Sequence, residues 1–166
     1  MKMNFIVKAA AKVTADEKCE NLDEKRIVPK MMLRRRLTRS ARIMVYLADA
    51  CDFRDGAVVY GSAYGEMQAT ADIVGAIDAN EPISPTAFQN SVYNTAPSYF
   101  SLLHGNKQEI LTIPSGDDTA ANVLQTGVLQ AVTPNEEVLL CSSEAHNIPT
   151  IAEGKQSPAY LESVVA

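Results

Sequence analysis

Residues 110–144, ILTIPSGDDTAANVLQTGVLQAVTPNEEVLLCSSE, carry the reading of the fold. The short apolar run 109–113 suits a strand, and Pro114-Ser115-Gly116 is tight-turn chemistry. Asp117 and Asp118 then stand where negative charge suits the start of a helix, which the pattern carries to about Val132. Thr133-Pro134-Asn135 turns the chain into VLLCSS, a second buried strand. Strand, turn, helix and strand in this order predict an α/β layered domain.

The same alternation extends outward from this stretch. Residues 4–13 suit a first strand, and Thr38 is placed to cap a helix in which Ile43, Leu47 and Ala50 recur at helical spacing. Residues 57–62, AVVYGS, read as a buried strand between Gly56 and Gly61, and Met67, Ala71, Val74 and Ile77 predict a helix over 64–78. Pro82 and Pro85 enforce a turn, with Ser84 set to cap the next helix. Residues 86–104 suit one or two helical pieces interrupted near Pro97 and stopped at Gly105. The expectation is a single domain over 1–166, with a mixed sheet flanked by helices and an irregular tail over about 147–166. No internal repeat is present.

One helix departs from the rest. From Thr119 to Asn135 there is no charged side chain. Val123, Leu124, Gly127, Val128 and Val132 cover about half the wheel, and Asn122, Thr126, Leu129 and Gln130 lie opposite. A surface helix normally carries charge there, so this one asks for cover on both sides.

A chain of 166 residues is long enough for one core without staples. It has no apolar run near the roughly 20 residues of a membrane helix. The first residues meet Asp16 and Glu17 too soon for a signal peptide, so a cytoplasmic location is expected. Cys19, Cys51 and Cys141 are far apart, form no metal-ligand spacing, and read as packing residues. The net charge of -5 hides a cationic cluster: Lys25, Arg26, Lys30, Arg34, Arg35, Arg36, Arg39 and Arg42. Overall acidity and the lack of interleaved aromatics argue against nucleic acid, leaving an acidic protein partner or a solvated face.

Two stretches besides 110–144 resemble β-ketoacyl synthases. PKMMLRRRLTRSAR, residues 29–42, is similar to the segment leading into their first long helix. ISPTAFQNSVYNTAPSYFSLLHG, residues 83–105, is similar to their "sP-x-x-F-x-x-S-V-x-N" stretch. The pattern is closest to ketosynthase-like and chain-length-factor-like proteins of bacterial aryl-polyene type clusters. The resemblance implies half of a thiolase-like fold, in which dimers pair through the strand before the nucleophile turn, here Ile110, Leu111, Thr112 and Ile113. It also implies two similar halves sharing a central helix layer, which would cover the charge-free helix. Self-association or a ketosynthase-like partner would supply that cover here. An acidic acyl carrier protein is a further candidate partner, facing Arg34, Arg35, Arg36, Arg39 and Arg42.

The departures bear on chemistry. In a condensing enzyme the cysteine sits at this turn, its thiol activated by the helix N-terminus and neighbours. The turn here, Ser115, Gly116 and Asp117, has none, and the family's catalytic histidines belong to a half that this chain lacks. Ser115 or Cys141 as the nucleophile of an acyl-thioester hydrolase or transferase is the alternative. It needs a base, and His104 and His146 match no catalytic position of the family. Asp117 and Asp118 point about 100 degrees apart on a helix and do not converge on a metal. Gly61-Ser62-Ala63-Tyr64-Gly65 superficially suggests a phosphate loop but lacks its third glycine, and reads as a structural turn. The expected function is a non-catalytic ketosynthase-like subunit without cofactor or metal, acting by association in fatty-acid, polyene or polyketide biosynthesis. A scaffold of a biosynthetic complex is the third reading.

Overall fold

The computed structural model describes residues 4–13, 24–132 and 136–145. Two short helices, α1 (Glu24–Ile27) and α2 (Met31–Arg34), lead into α3 (Arg39–Ala50). Strand β1 (Ala57–Gly61) is followed by α4 (Met67–Asp78), α5 (Pro85–Asn90) and α6 (Thr95–His104). Then come β2 (Ile110–Ile113), a 3-10 turn over Gly116–Asp118, α7 (Thr119–Val132) and β3 (Val138–Ser142). The Thr38 hydroxyl accepts from the Ala41 amide and caps α3, and Ser84 caps α5 through Ala87. Gly105, at φ 69°, closes α6 in the left-handed conformation that suits glycine.

The strands form one sheet in the order β2-β1-β3. Where the sequence predicted a mixed sheet, the three described strands are all parallel. Each connection is helical, α4 to α6 and then α7, and returns the chain to the same end of the sheet. The strand expected at 4–13 is not formed. Those residues are described outside any strand, with Phe5, Ile6 and Val7 exposed and only Val13 buried at the far end. The run AAAK at its centre has little strand preference to hold a ladder, and Lys8 instead pairs with Glu137 just ahead of β3.

Central β1 is buried on both faces, as a parallel strand between helical layers must be. Val58 and Tyr60, with Leu139 and Cys141 of β3, face a core built on α3 and α6, where Ile43, Met44, Leu47 and Phe100 are fully buried. The alternate positions face α7. A Cβ at Gly61 would stand 2.4 Å from Val123 Cγ2, and one at Gly127 would stand 1.8 Å from Leu140 Cδ2. Both glycines are there because helix and sheet approach too closely for a side chain.

Two helical expectations change. The break between α5 and α6 falls at 91–94 rather than at Pro97, which sits in the first turn of α6 where no amide partner is lost. Helix α4 forms as predicted, but it buries no residue, and its stripe of Val74 and Ile77 faces solvent. His146, the Thr133-Pro134-Asn135 turn and the tail at 147–166 lie outside the described residues, as does Cys19.

Candidate functional site

Parallel strands bring the loops after β1, β2 and β3 together at the carboxyl end of the sheet. The loop after β2 holds Ser115, Gly116 and Asp117. Its backbone is fixed locally: the Ser115 amide donates to Thr119 Oγ1 (3.1 Å), and that hydroxyl donates to the Gly116 carbonyl (2.7 Å). Gly116 takes φ 54°, and a Cβ built on it would meet nothing within 4 Å. Ser115 is half-buried, while Asp117 and Asp118 are exposed on the 3-10 turn. No group of three metal-ligating side chains occurs among the described residues.

His104 is at the other end of the sheet. It closes α6, and two residues later Asn106 Nδ2 donates to the carbonyl of Gly56 (2.9 Å), at the entrance to β1. The imidazole packs on Phe100 with ring centroids 4.8 Å apart, and burial is the first of the effects lowering its pKa. The length of β2 therefore separates it from Ser115, and the two do not form a nucleophile–base pair. Cys141 fares no better as a nucleophile: it is fully buried in β3, and burial pushes its thiol up to about 12. Cys51, the C-cap of α3, is also raised by burial.

The loop after β1, Ser62-Ala63-Tyr64-Gly65, binds an anion of its own. The Glu144 carboxylate, just past β3, accepts from Ser62 Oγ (3.2 Å), from the Ala63 amide and from the Tyr64 amide (3.3 Å). Ser62 Oγ also accepts from the Gly65 amide (2.8 Å), and buried Tyr60 pairs with Ser143 (2.8 Å). The glycine-bounded turn is thus structural. Its donors are satisfied by a side chain 80 residues away, whose only signal in sequence was its place at the end of the 110–144 stretch. Glu144→Ala strips these donors of their acceptor and is expected to cost about 2 kcal/mol, read as a lower urea midpoint. An unchanged midpoint would contradict the role given to this carboxylate.

Of the arginines singled out, two serve the fold: Arg34 Nη1 donates to the Val28 carbonyl (2.7 Å) and Arg42 Nε to that of Leu37 (3.4 Å). Arg35, Arg36 and Arg39 are exposed on a ledge leading into α3. Arg26 turns away from the ledge to Asp49; that hydrogen bond leads the effects holding the Asp49 carboxyl below its ordinary value, with Arg54 (2.7 Å) assisting.

Sequence reasoning missed Glu66. It is buried ahead of α4 and accepts from Thr38 Oγ1 (2.6 Å), which ties the start of α4 to the start of α3. Burial pushes its carboxyl up to about 7 against the opposing hydrogen bonds from Thr38 and Ser40.

An exposed strand edge and helix face are better defined among the described residues than any reactive centre. Strand β2 is an edge strand of the described sheet, and Ile110, Leu111, Thr112 and Ile113 are all half-buried. No charge, proline or bulge within it blocks pairing with a further strand. Beside it, α7 buries Thr119, Val123 and Gly127 against the sheet and turns Leu124 (52%) and Leu129 (54%) outward. With no charged residue along its length, that outer face is uncharged, and both leucines on it are more than half exposed.

Residues 8–156 match the family model described as "Beta-ketoacyl synthase, N-terminal domain". Among solved structures, a chain of the ketosynthase ApeO in complex with its chain length factor ApeC, from Xenorhabdus doucetiae, superposes with a TM-score of 0.66 at 25% identity. That match covers 90% of this chain and 61% of the other. A chain of the ishigamide ketosynthase/chain length factor also gives 0.66, at 14% identity, over 87% of this chain and 47% of that one, a likeness of fold alone. The chain thus spans about three fifths and about half of the lengths of these two. No curated protein sequence matches it. The fold is thiolase-like, and none of its described helices is long and apolar enough to cross a membrane.

Proposed function

This chain belongs to the β-ketoacyl synthases, within their N-terminal domain, and from that premise we propose that it is a non-catalytic ketosynthase-like subunit. It works by association with a ketosynthase-like partner in fatty-acid, polyene or polyketide biosynthesis. The observation that carries this reading is the turn after β2. It keeps the strand–turn–helix geometry in which a condensing enzyme presents its cysteine, but offers Ser115, with no base brought to it among the described residues. Beside that turn lie an edge strand fit for pairing and a charge-free helix face, so the surface suits a partner better than a substrate. The similarity to a ketosynthase/chain length factor complex supports the same reading.

The test mixes the full chain with the ketosynthase and acyl carrier protein encoded in the same genome. Sedimentation velocity reads the complex, and mass spectrometry reads product chain length. A stable complex and an altered product length are expected, with Ser115→Ala changing neither. Thioester turnover by the chain alone that Ser115→Ala abolishes would establish the alternative, a serine hydrolase or transferase. A complex with no effect on product length would reduce the subunit to a scaffold.

A further inference from the structure

The chain from 66 to 90 makes an excursion that is held by its ends. No residue from 67 to 89 is buried, while the residues on either side of that stretch are buried and polar: Glu66 at 9% exposure and Asn90 at 8%. Helices α4 and α5 pack on each other and on no other helix or strand to a like extent. The neck of the excursion is closed behind them. The Tyr93 hydroxyl donates to the Ala63 carbonyl (3.2 Å), and Gly65, at φ 60°, lies so close that a Cβ on it would stand 3.0 Å from Tyr93 Cδ1.

Two latches bind the excursion to the body. At one end Glu66 accepts from Thr38 Oγ1 (2.6 Å) and from Ser40, at the start of α3. At the other, Asn90 Nδ2 donates to the Arg36 carbonyl (3.5 Å), and Asn90 Oδ1 accepts from the Tyr99 hydroxyl of α6 (3.0 Å). A segment held by a few polar bonds, with little apolar burial, opens at lower free energy than the core beside it.

The first latch is the one that titrates near neutrality. Tyr60 of β1 and Tyr99 of α6 both lie in range of the Glu66 charge, with Glu144 acting on Tyr60 and Arg36 on Tyr99. The charged side chains in the first turn of α3 are Arg39, which is exposed, and Arg42, which donates to the Leu37 carbonyl. Burial raises both phenols, so they stay neutral while the Glu66 carboxyl, pushed up to about 7, gives up its proton.

We propose that this excursion is a pH-latched lid: when Glu66 ionises, residues 66–92 lift from α3 and α6 as one body, pivoting at the Tyr93 neck while α3 and the sheet stay folded. Hydration of a carboxylate that is costly to keep buried drives the opening. Lifting frees the hydroxyls of Thr38, Ser40, Thr95 and Tyr99 that bond the two ends of the lid. Neither β2 nor the outer face of α7 takes part, so the proposed function stands or falls separately.

Amide hydrogen exchange of the full chain tests the lid, read at about pH 5.5 and about pH 8.5 with intrinsic rates corrected, in the absence and presence of about 1 M urea. Protection over 67–78 and 85–90 is expected to lie about tenfold or more below that of α3 and β1, and to be insensitive to the urea. It falls about thirtyfold between the two pH values, as a carboxyl at about 7 in the closed state and about 4.5 in the open state requires. Helix α3 and strand β1, which exchange on global unfolding, lose protection in the urea. In Glu66→Gln the protection of the lid is level with pH. Asn90→Ala loosens the other latch and lowers that protection by one factor, about tenfold, at both pH values. A lid that shares the protection and the urea slope of α3 and β1 belongs to one cooperative unit with them, and overturns the proposal. So does lid protection that is equal at both pH values in the wild type, or that falls as steeply in Glu66→Gln.

Discussion

Glu66→Gln is expected to flatten the pH dependence of stability that the wild-type chain shows between about pH 5 and pH 8.5. The wild-type carboxyl is pushed from its ordinary 4.5 up to about 7, chiefly by burial. The folded state therefore holds this proton more tightly than the unfolded chain does. Its contribution is fully present below about pH 4.5 and is lost as the pH rises through about 7. The full difference corresponds to about 3 kcal/mol, or a fall of roughly 1–2 M in urea midpoint across the window. Glutamine keeps the acceptor for Thr38 Oγ1 and carries no charge, so its midpoint stays level and exceeds wild type at about pH 8.5. The structural consequence is local: with Glu66 charged and buried, the joint between α3 and α4 is the first to loosen. Equal pH slopes in the two proteins would contradict this role for the buried carboxyl.

Gly127→Val is expected to cost about 2–3 kcal/mol, from overpacking against β3. A Cβ at this position already stands 1.8 Å from Leu140 Cδ2 and 2.9 Å from Leu140 Cγ, so the side chain or the whole helix has to move. The better helix propensity of valine over glycine returns only a few tenths of a kcal/mol. Because the clash is with one side chain, Leu140→Ala opens the space. The same Gly127→Val change made in that background is expected to cost under about 1 kcal/mol. Urea unfolding of the four proteins of this cycle measures the coupling. Equal losses in both backgrounds would mean that the glycine is required for a reason other than Leu140.

The pairing of α7 with the sheet also shows where the sequence was informative. Its end at Val132 follows from periodicity, as do β1, the Thr38 cap and the Gly105 stop, because each rests on neighbours in sequence. Its start, expected at Asp117-Asp118, falls at Thr119 because those two residues form a 3-10 turn. The wheel showed further that α7 carries no charge on either side, and in the structure one side meets the sheet while Leu124 and Leu129 stay outside. Features that depend on distant partners were not legible. An apolar stripe at 67–77 predicts a helix but does not say what covers it, and in this chain nothing described does. Residues 4–13 have the composition of a marginal strand, and a strand exists only through its ladder. The all-parallel order follows from where the crossovers deliver the chain, which local pattern does not encode.

At the candidate site, the absence of a cysteine was plain from Ser115-Gly116-Asp117. The distance from His104 to that turn was not, since it depends on α6 closing at the far end of the sheet. Glu66 and Glu144 escaped notice because an acidic residue in a polar stretch reads as solvated. Only the fold brings Glu144 to the amides of residues 63 and 64, and Glu66 to the hydroxyl of Thr38.

The central claim is that this chain acts through the edge of β2 and the outer face of α7. Hydrogen–deuterium exchange on the full chain, alone and saturated with the ketosynthase from its own genome, tests it most directly. Slowed exchange is expected across residues 110–113 and along residues 119–132. Unchanged exchange in both segments, with a complex demonstrably formed, would contradict it.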